Sequence, residues 1–319
     1  MINLRYHIVS LTAVFLALAI GVAIGTGFLN KATVDQLRRQ ITSAEGGIDD
    51  ANGEIARLKE ELSRAGETDK ALLASGGLLV GGRLTDVPVL VVASENIDEG
   101  SLGQLRTLLA ESGANLRGTL TISDRLRLDA GDDEQLAQIL DTPATNRPVL
   151  QSGLTTAFAA VLSDSADRSP DVTSSPLVAD LVDAKYLGYQ APDDAPDGLD
   201  PTTVLAGGGF RYVFVSGSDP RTPDADFLLP VLRSLAADGP APAVLVSAAV
   251  GEEAEATRTA SVGAIRGDTG LRDEVSTVDD LERFSGLLAT VWALDDIDAG
   301  IHGHYGLGAG RRSELPGGS

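Results

Sequence analysis

The chain has 319 residues, with 25 Lys and Arg against 46 Asp and Glu and no cysteine, which gives a formal charge of −21 at pH 7. The lack of cysteine excludes disulfides, iron–sulfur clusters, cysteine nucleophiles and thiolate sites for zinc or copper(I). We expect no nucleic-acid partner, because phosphate binding requires a basic surface.

The charge is unevenly distributed along the chain. Residues 1–84 carry equal numbers of acidic and basic side chains, so the whole negative excess lies in residues 85–319. The length fits two domains, and 43% hydrophobic with 22% charged residues is typical of a globular protein. The sequence therefore predicts a neutral N-terminal part followed by an acidic domain.

The N-terminal part begins with a candidate membrane anchor. Residues 8–29 contain no ionisable side chain, and as a helix they span about 33 Å, enough to cross a bilayer. Arg5 precedes them, so the positive-inside rule predicts a single-pass protein of the cell membrane with residues 1–7 in the cytoplasm and the chain after the anchor outside. Gly21 and Gly25 form a GxxxG pattern that lets membrane helices pack closely. A cleaved signal peptide is the alternative.

Residues 30–66 show a heptad pattern, which predicts a coiled-coil stalk. β-branched residues dominate its a positions, and this favours a parallel homodimer. The alternative is one amphipathic helix packed on the globular domain, which Gly46, Gly47 and Gly53 favour because each costs about 1 kcal/mol in a helix. The predicted dimer interface consists of Val34, Ile41, Ile48, Ile55 and Leu62 at a and Leu37, Ala44, Ala51 and Leu58 at d.

Three further segments follow the stalk. Glycine pairs predict a Gly-rich hinge over residues 67–84, followed by an acidic extracytoplasmic domain over 85–302 and a flexible tail over 303–319. Within the domain, valine-rich runs typical of buried parallel strands alternate with helical patterns. Strands are predicted at 87–93, 115–122, 211–215, 243–246 and either 262–265 or 274–278, and helices at 102–109, 134–140, 225–236 and 278–294.

This alternation predicts an α/β fold with a mostly parallel, doubly wound sheet of the Rossmann or flavodoxin type, interrupted by a helical insertion at 150–188. Such sheets bind ligands at the carboxyl ends of their strands. The segments that follow the strands carry no G-x-G-x-x-G, Walker A or G-x-S-x-G motif. Only residues 216–220 form a polar turn that could hold an anion. The triplet at 207–209 precedes its strand, so we interpret it as a turn.

We predict no catalytic residues and no enzyme activity. A Ser–His site that uses one of the C-terminal histidines stays open. Carboxylate pairs such as Asp132-Asp133, Asp193-Asp194 and Asp295-Asp296, and the Asp224-x-Asp226 pattern, could hold a hard cation. In so acidic a domain we interpret them as solvated caps.

His302 and His304 are the candidate metal ligands. Two imidazoles beside Tyr305 suit copper(II) or zinc, which makes copper the candidate cofactor. The alternative is a polar C-terminal segment in which the histidines are incidental.

The opening residues MINLRYHIVSL, continuing through 13–18 to Gly21 and Gly25, resemble the start of the actinobacterial MctB family. The order of anchor, stalk, α/β domain and terminal His304-Tyr305-Gly306 is similar too. The resemblance implies a part in copper efflux or homeostasis in the cell envelope. It also implies an alternative: a dimeric scaffold that binds and regulates envelope or cell-separation proteins. No catalytic or copper-ligand residues come with it.

Overall fold

The computed structural model describes residues 4–27, 31–128, 133–167, 172–217, 224–237, 239–248 and 261–316. The chain divides into two compact units, Met1–Thr68 and Asp69–Ser319.

Two helices form the first unit. Helix α1 spans Leu4–Gly27, and α2 starts at Lys31 and ends at Leu73 in the second unit. Within α1, the segment Arg5–Gly25 is long and apolar enough to cross a membrane, and none of it is buried in the protein. The predicted N-terminal apolar helix and the long helix after it are therefore confirmed.

Helix α2 continues through Gly46, Gly47 and Gly53 without a break. Ion pairs one turn apart support its second half: Arg57 contacts Glu54 and Glu61. Such fully exposed pairs add little to the stability of the helix. The apolar positions of the heptad are exposed in the single chain, from 37% at Val34 to 73% at Leu62.

The second unit is an α/β domain. Its strands are β1 Pro88–Ser94, β2 Asn115–Ile122, β3 Leu187–Gln190, β4 Arg211–Gly217, β5 Ala243–Ala248, β6 Ser276–Val278 and β7 His304–Tyr305. Its helices are α3 Gly76–Val80, α4 Glu99–Glu111, α5 Glu134–Ile139, α6 Arg147–Ala166, α7 Pro176–Asp183, α8 Leu229–Leu235, α9 Val262–Gly267 and α10 Phe284–Ile297. A 3₁₀ turn spans Asp124–Arg127, and a π-helical turn, Asp224–Leu228, precedes α8.

The seven strands form one sheet in the order β3-β2-β1-β4-β5-β6-β7. All neighbours are parallel except β2 and β3. The order reverses between β1 and β4, as in a doubly wound fold. The mostly parallel α/β fold is thus confirmed.

Hydrophobic layers cover both faces of this sheet. Leu90, Phe214 and Leu245 face a layer that includes residues of α5 to α9. Val91 and Val213 face the opposite layer, built from α3, α4 and α10. Because alternate residues of one strand enter opposite layers, the central strands are apolar on both faces, which explains their unbroken valine-rich sequence.

The structure differs from the sequence prediction near the predicted hinge. Residues 67–84 are mostly helical, and Val80 and Leu84 are fully buried in the core. Adding a Cβ at Gly76 would place it 2.7 Å from Leu108 Cδ1. The glycine at this position therefore allows α3 to pack closely on α4.

Other segments differ from the prediction in type or in bounds. Residues 262–265 belong to α9, and the strand lies in the second predicted range, as β6. The helical insertion at 150–188 contains α6 and α7 but ends in the edge strand β3. The helix predicted at 278–294 begins only at Phe284, and the predicted flexible tail contains β7.

Candidate functional site

The two candidate metal ligands lie where the C-terminal segment joins the sheet. β7 pairs with β6, with Thr277 opposite His304. Thr277 N donates to Gly303 O at 2.9 Å, and Asp279 N donates to Tyr305 O at 3.2 Å. These bonds place His304 in strand β7 at the edge of the sheet and His302 two residues before that strand begins.

A buried ion pair between Arg266 of α9 and Asp279 holds the segment in place. Arg266 Nη1 lies 2.7 Å from Asp279 Oδ2, and the side chains are only 4% and 0% exposed. Arg266 also donates to Tyr305 O at 2.7 Å and Ala309 O at 3.0 Å. Asp279 Oδ1 accepts from Leu307 N at 2.6 Å. We call Arg266, Asp279 and residues 305–309 the C-terminal clasp.

Glycines allow the clasp to close. Gly306 has φ +113°, and a Cβ there would clash with Asp279 Oδ1. A Cβ at Gly308 would lie 2.7 Å from Asp279 Oδ2. Both positions therefore need glycine for the backbone to approach the carboxylate.

Asp279 is charged in this environment. Burial alone would raise its pKa, but a hydrogen bond with Asp280, the N–H groups of Gly308 and Leu307, and the Arg266 charge together lower the pKa below its usual range. The N–H groups of Leu307 and Gly308 and the Arg266 guanidinium favour the charged form of this buried carboxylate.

His304 is part of the hydrogen-bond network around this ion pair. Its Nδ1 lies 2.9 Å from Thr277 Oγ1, which also accepts from Arg266 Nε at 2.9 Å. Because Arg266 can only donate, the hydroxyl proton of Thr277 is free to reach Nδ1. Burial and the Arg266 charge lower the pKa of His304 to about 4. His304 is therefore neutral, and it must give up the Thr277 bond to bind a metal through Nδ1.

His302 has a different environment. Both of its ring nitrogens are buried and have no hydrogen-bond partner among the described residues. Burial lowers its pKa, while the Glu274 carboxylate raises it. Glu274 Oε2 is also buried without a partner in the described part of the chain. Unsatisfied buried groups of this kind are where proteins hold an ordered water or ion.

The carboxylate pairs of the sequence are engaged elsewhere. Asp133 caps α5 by accepting from Leu136 N at 3.0 Å. Asp226 pairs with Arg147 at 2.9 Å and Asp295 with Arg83 at 2.8 Å. Asp132 lies outside the described residues. Within those residues, no three His, Asp or Glu side chains come together as a metal site.

Asp193 and Asp194 line a groove of about 640 Å³ along α4, together with Glu99 and Glu111. Arg106, also in the groove, donates to Gln190 Oε1 at 2.7 Å. The groove rim thus carries an excess of negative charge.

Within the described residues, side chains of the chain itself lie at the carboxyl ends of β1 and β4. Ile97 packs against Gly217 at the end of β4, where a Cβ would lie 3.1 Å from Ile97 Cγ1. Glu95 Oε2 accepts from Asp124 N at 2.8 Å. Of the polar turn at 216–220, residues 218–220 lie outside the described residues. Gly207 and Gly209, both with positive φ, form the predicted turn before β4.

The remaining predicted site residues lie on α1 and α2. Gly21 and Gly25 face open space, because a Cβ at either would meet nothing within 4 Å. The side chains of the predicted dimer interface are mostly exposed along α2.

Sequence reasoning missed Arg266 and Asp279. A signal was available for Asp279, since it follows directly after one of the two ranges considered for the last strand, and the HYGLG run that contacts it is rich in glycine. Arg266 carried no signal, because its helix resembles a strand in sequence.

Comparison with known proteins matches residues 1–316 to the family described as "Copper transport outer membrane protein, MctB". The chain belongs to this family. A "Copper transporter MctB" from Mycobacterium tuberculosis (strain ATCC 25618 / H37Rv) is 28% identical over 331 aligned residues, which cover 98% of both chains. The protein of the same name from Mycobacterium leprae (strain TN) is 27% identical over 333, again covering 98% of both.

Membership of the MctB family confirms the resemblance seen at the N-terminus. The family and its relatives are named for copper transport, and none of these names is that of an enzyme. The apolar helix α1 and the family description together support a membrane location.

Proposed function

We propose that the protein takes part in copper efflux or homeostasis as a non-enzymatic component of the cell envelope. The observation that carries this proposal is the family match over residues 1–316, together with relatives named as copper transporters that align over nearly their whole length. In this proposal α1 anchors the protein in the cell membrane, with residues 1–7 in the cytoplasm and the acidic domain outside. An acidic domain also attracts cations to its surface.

The copper contact in this proposal is His302, with His304 as the second ligand. An imidazole suits copper(II), whereas the chain has no cysteine and a single methionine, Met1, for copper(I). His302 has two unpartnered ring nitrogens, and the nearby Glu274 carboxylate adds negative charge. His304 can bind copper through Nδ1 only if it gives up its hydrogen bond with Thr277 Oγ1.

Copper(II) titration of the purified full-length protein in detergent tests this assignment. We expect His302→Ala to weaken copper binding at least tenfold and His304→Ala to weaken it less. His7→Ala is the matched control, because His7 is the only other histidine and lies in α1. If the double variant His302→Ala/His304→Ala binds copper(II) as tightly as the wild type, these two histidines are not the copper ligands.

The wider proposal is tested in cells. A strain that lacks the protein is expected to be sensitive to copper and to be rescued by the wild-type chain. If the deletion strain shows a chaining or envelope defect that does not change with copper, the scaffold alternative replaces the copper role.

A parallel homodimer is part of both the copper role and the scaffold alternative. Its support is the run of exposed apolar side chains on α2, including Ile41 at 55% and Ile48 at 60% exposed. Exposed apolar stripes of this length are covered by a partner helix in coiled coils. We expect Ile41→Asp/Ile48→Asp to give monomers in analytical ultracentrifugation, while the charge-matched variant Gln36→Asp/Ser43→Asp, at solvent-facing c positions, remains dimeric. If both variants remain dimeric, the dimer does not form through a coiled coil of α2.

A further inference from the structure

Three leucines at the end of α2 and in α3 are exposed although they belong to the α/β domain. Leu72, Leu78 and Leu79 have exposed fractions of 42%, 90% and 46%. Leu78 is the most exposed large hydrophobic side chain among the described residues. We call these three the stalk-end leucines.

The position of Leu78 is imposed by the packing of α3. Gly76 and Val80 of the same helix are buried, and Gly76 lies close to Leu108 and Phe284. Leu78 N donates to Ser75 O at 3.1 Å and Gly81 N to Gly77 O at 2.8 Å. A helix held in this way keeps Leu78 in solvent, and the burial free energy of a leucine is not realised in the single chain.

The d register of the α2 heptad reaches Leu72, although Asp69 occupies the preceding a position. Leu72 occupies a d position, two heptads after Leu58, and α2 continues through Leu73. In a parallel dimer, equivalent d positions of the two chains meet at the axis. Leu78 follows six residues later, and six residues span at most about 20 Å. Leu78 therefore lies within about 20 Å of the d position at the axis of such a dimer.

Charge favours the same contact. Residues 71–82 contain no ionisable side chain, although the chain from residue 85 onward carries the whole charge of −21. Two copies of an acidic domain repel each other over most of their surface. At residues 71–82 they can approach through uncharged side chains, with the Glu111 carboxylate beside Gly77 as a neighbouring negative charge.

We infer that the stalk-end leucines contact the same residues of a second copy of the chain, which extends the dimer from the coiled coil onto the α/β domain. This inference rests on the parallel dimer of the proposed function. The occupant is a second copy because Leu72 keeps the d register of the coiled coil and because residues 71–82 carry no ionisable side chain of their own.

The cysteine-free chain allows a direct test by single-cysteine cross-linking of the full-length protein in detergent, with diamide as the oxidant. Leu78→Cys reports on the inferred contact and Ile41→Cys on the coiled coil. Val149→Cys is the control, because Val149 is 45% exposed and begins α6, a helix of the opposite layer. We expect Leu78→Cys to form disulfide-linked dimers at least about tenfold faster than Val149→Cys, since residues near the axis have a high effective concentration.

The outcomes separate the inference from the dimer on which it rests. If Ile41→Cys cross-links rapidly and Leu78→Cys behaves like Val149→Cys, the inference is overturned and the coiled coil remains. If neither Ile41→Cys nor Leu78→Cys cross-links, both fail. The dimer dissociation constant gives a second measurement. Leu78→Glu is expected to raise it roughly tenfold, and Val149→Glu is expected to leave it unchanged. Equal dissociation constants for the two variants would contradict the contact.

Discussion

Substitution of Asp279 by asparagine tests the C-terminal clasp most directly. Asp279→Asn keeps the size of the side chain but removes the charge that compensates Arg266, whose side chain is 4% exposed. Breaking a buried pair by removing one partner costs about 3–5 kcal/mol. For a domain of this size, 1 kcal/mol corresponds to roughly 2–4 °C. We therefore expect the melting temperature to fall by roughly 6–20 °C.

Thermal unfolding of the full-length protein, followed by circular dichroism, measures this change. Asp295→Asn is the matched control, because its pair with Arg83 is more than one-third exposed on both sides, and such pairs contribute less than about 1 kcal/mol. A fall at Asp279→Asn no larger than at Asp295→Asn would refute the argument that the ion pair holds the clasp.

The pH dependence of the same variant gives a second readout. The folded pKa of Asp279 is below its unfolded value, so its contribution to stability is present at neutral pH and is lost as the pH falls through the folded pKa. We expect the wild-type protein to lose stability more steeply below about pH 4 than Asp279→Asn. Identical slopes would show that Asp279 is not the group concerned.

Two further predictions concern neighbouring residues. The pKa of His304 is lowered to about 4, below the unfolded value. The unfolded state therefore binds a proton first, and stability falls as the pH drops from about 6.5 towards 4. His304→Gln should flatten this part of the stability profile, and an unchanged profile would contradict a neutral, half-buried His304. Gly306→Ala should destabilise the protein more than Gly207→Ala in urea unfolding, because both glycines have positive φ but only a Cβ at Gly306 meets Asp279; equal losses would show that backbone conformation alone matters.

The central sheet was predictable because its strands are buried on both faces. Runs such as 211–215 and 243–246 contain almost only apolar residues, and the structure places them in β4 and β5. The heptad period likewise predicted one long helix. In both cases the signal lies in a continuous pattern within a single element.

The edges of the sheet and the clasp were not predictable in the same way. β3 and β7 have four and two residues, too few for a period to be recognised. Residues 262–265 form a short apolar run that fits a strand or a buried helix equally well. The ion pair between Arg266 and Asp279 depends on how α9, β6 and β7 come together, and no local pattern encodes that.

The clasp also protects the sheet against unwanted strand pairing. β7 is an edge strand of two residues, and the segment after it folds back so that Tyr305 bridges Ser313 and Arg312 N donates to His304 O at 2.7 Å. Exposed parallel edges are templates for aggregation. A chain shortened before His304 would leave β6 as an uncovered edge strand, so we expect such a truncated protein to aggregate. A tag added at the C-terminus leaves the residues that cover the edge in place, so we expect it to be tolerated.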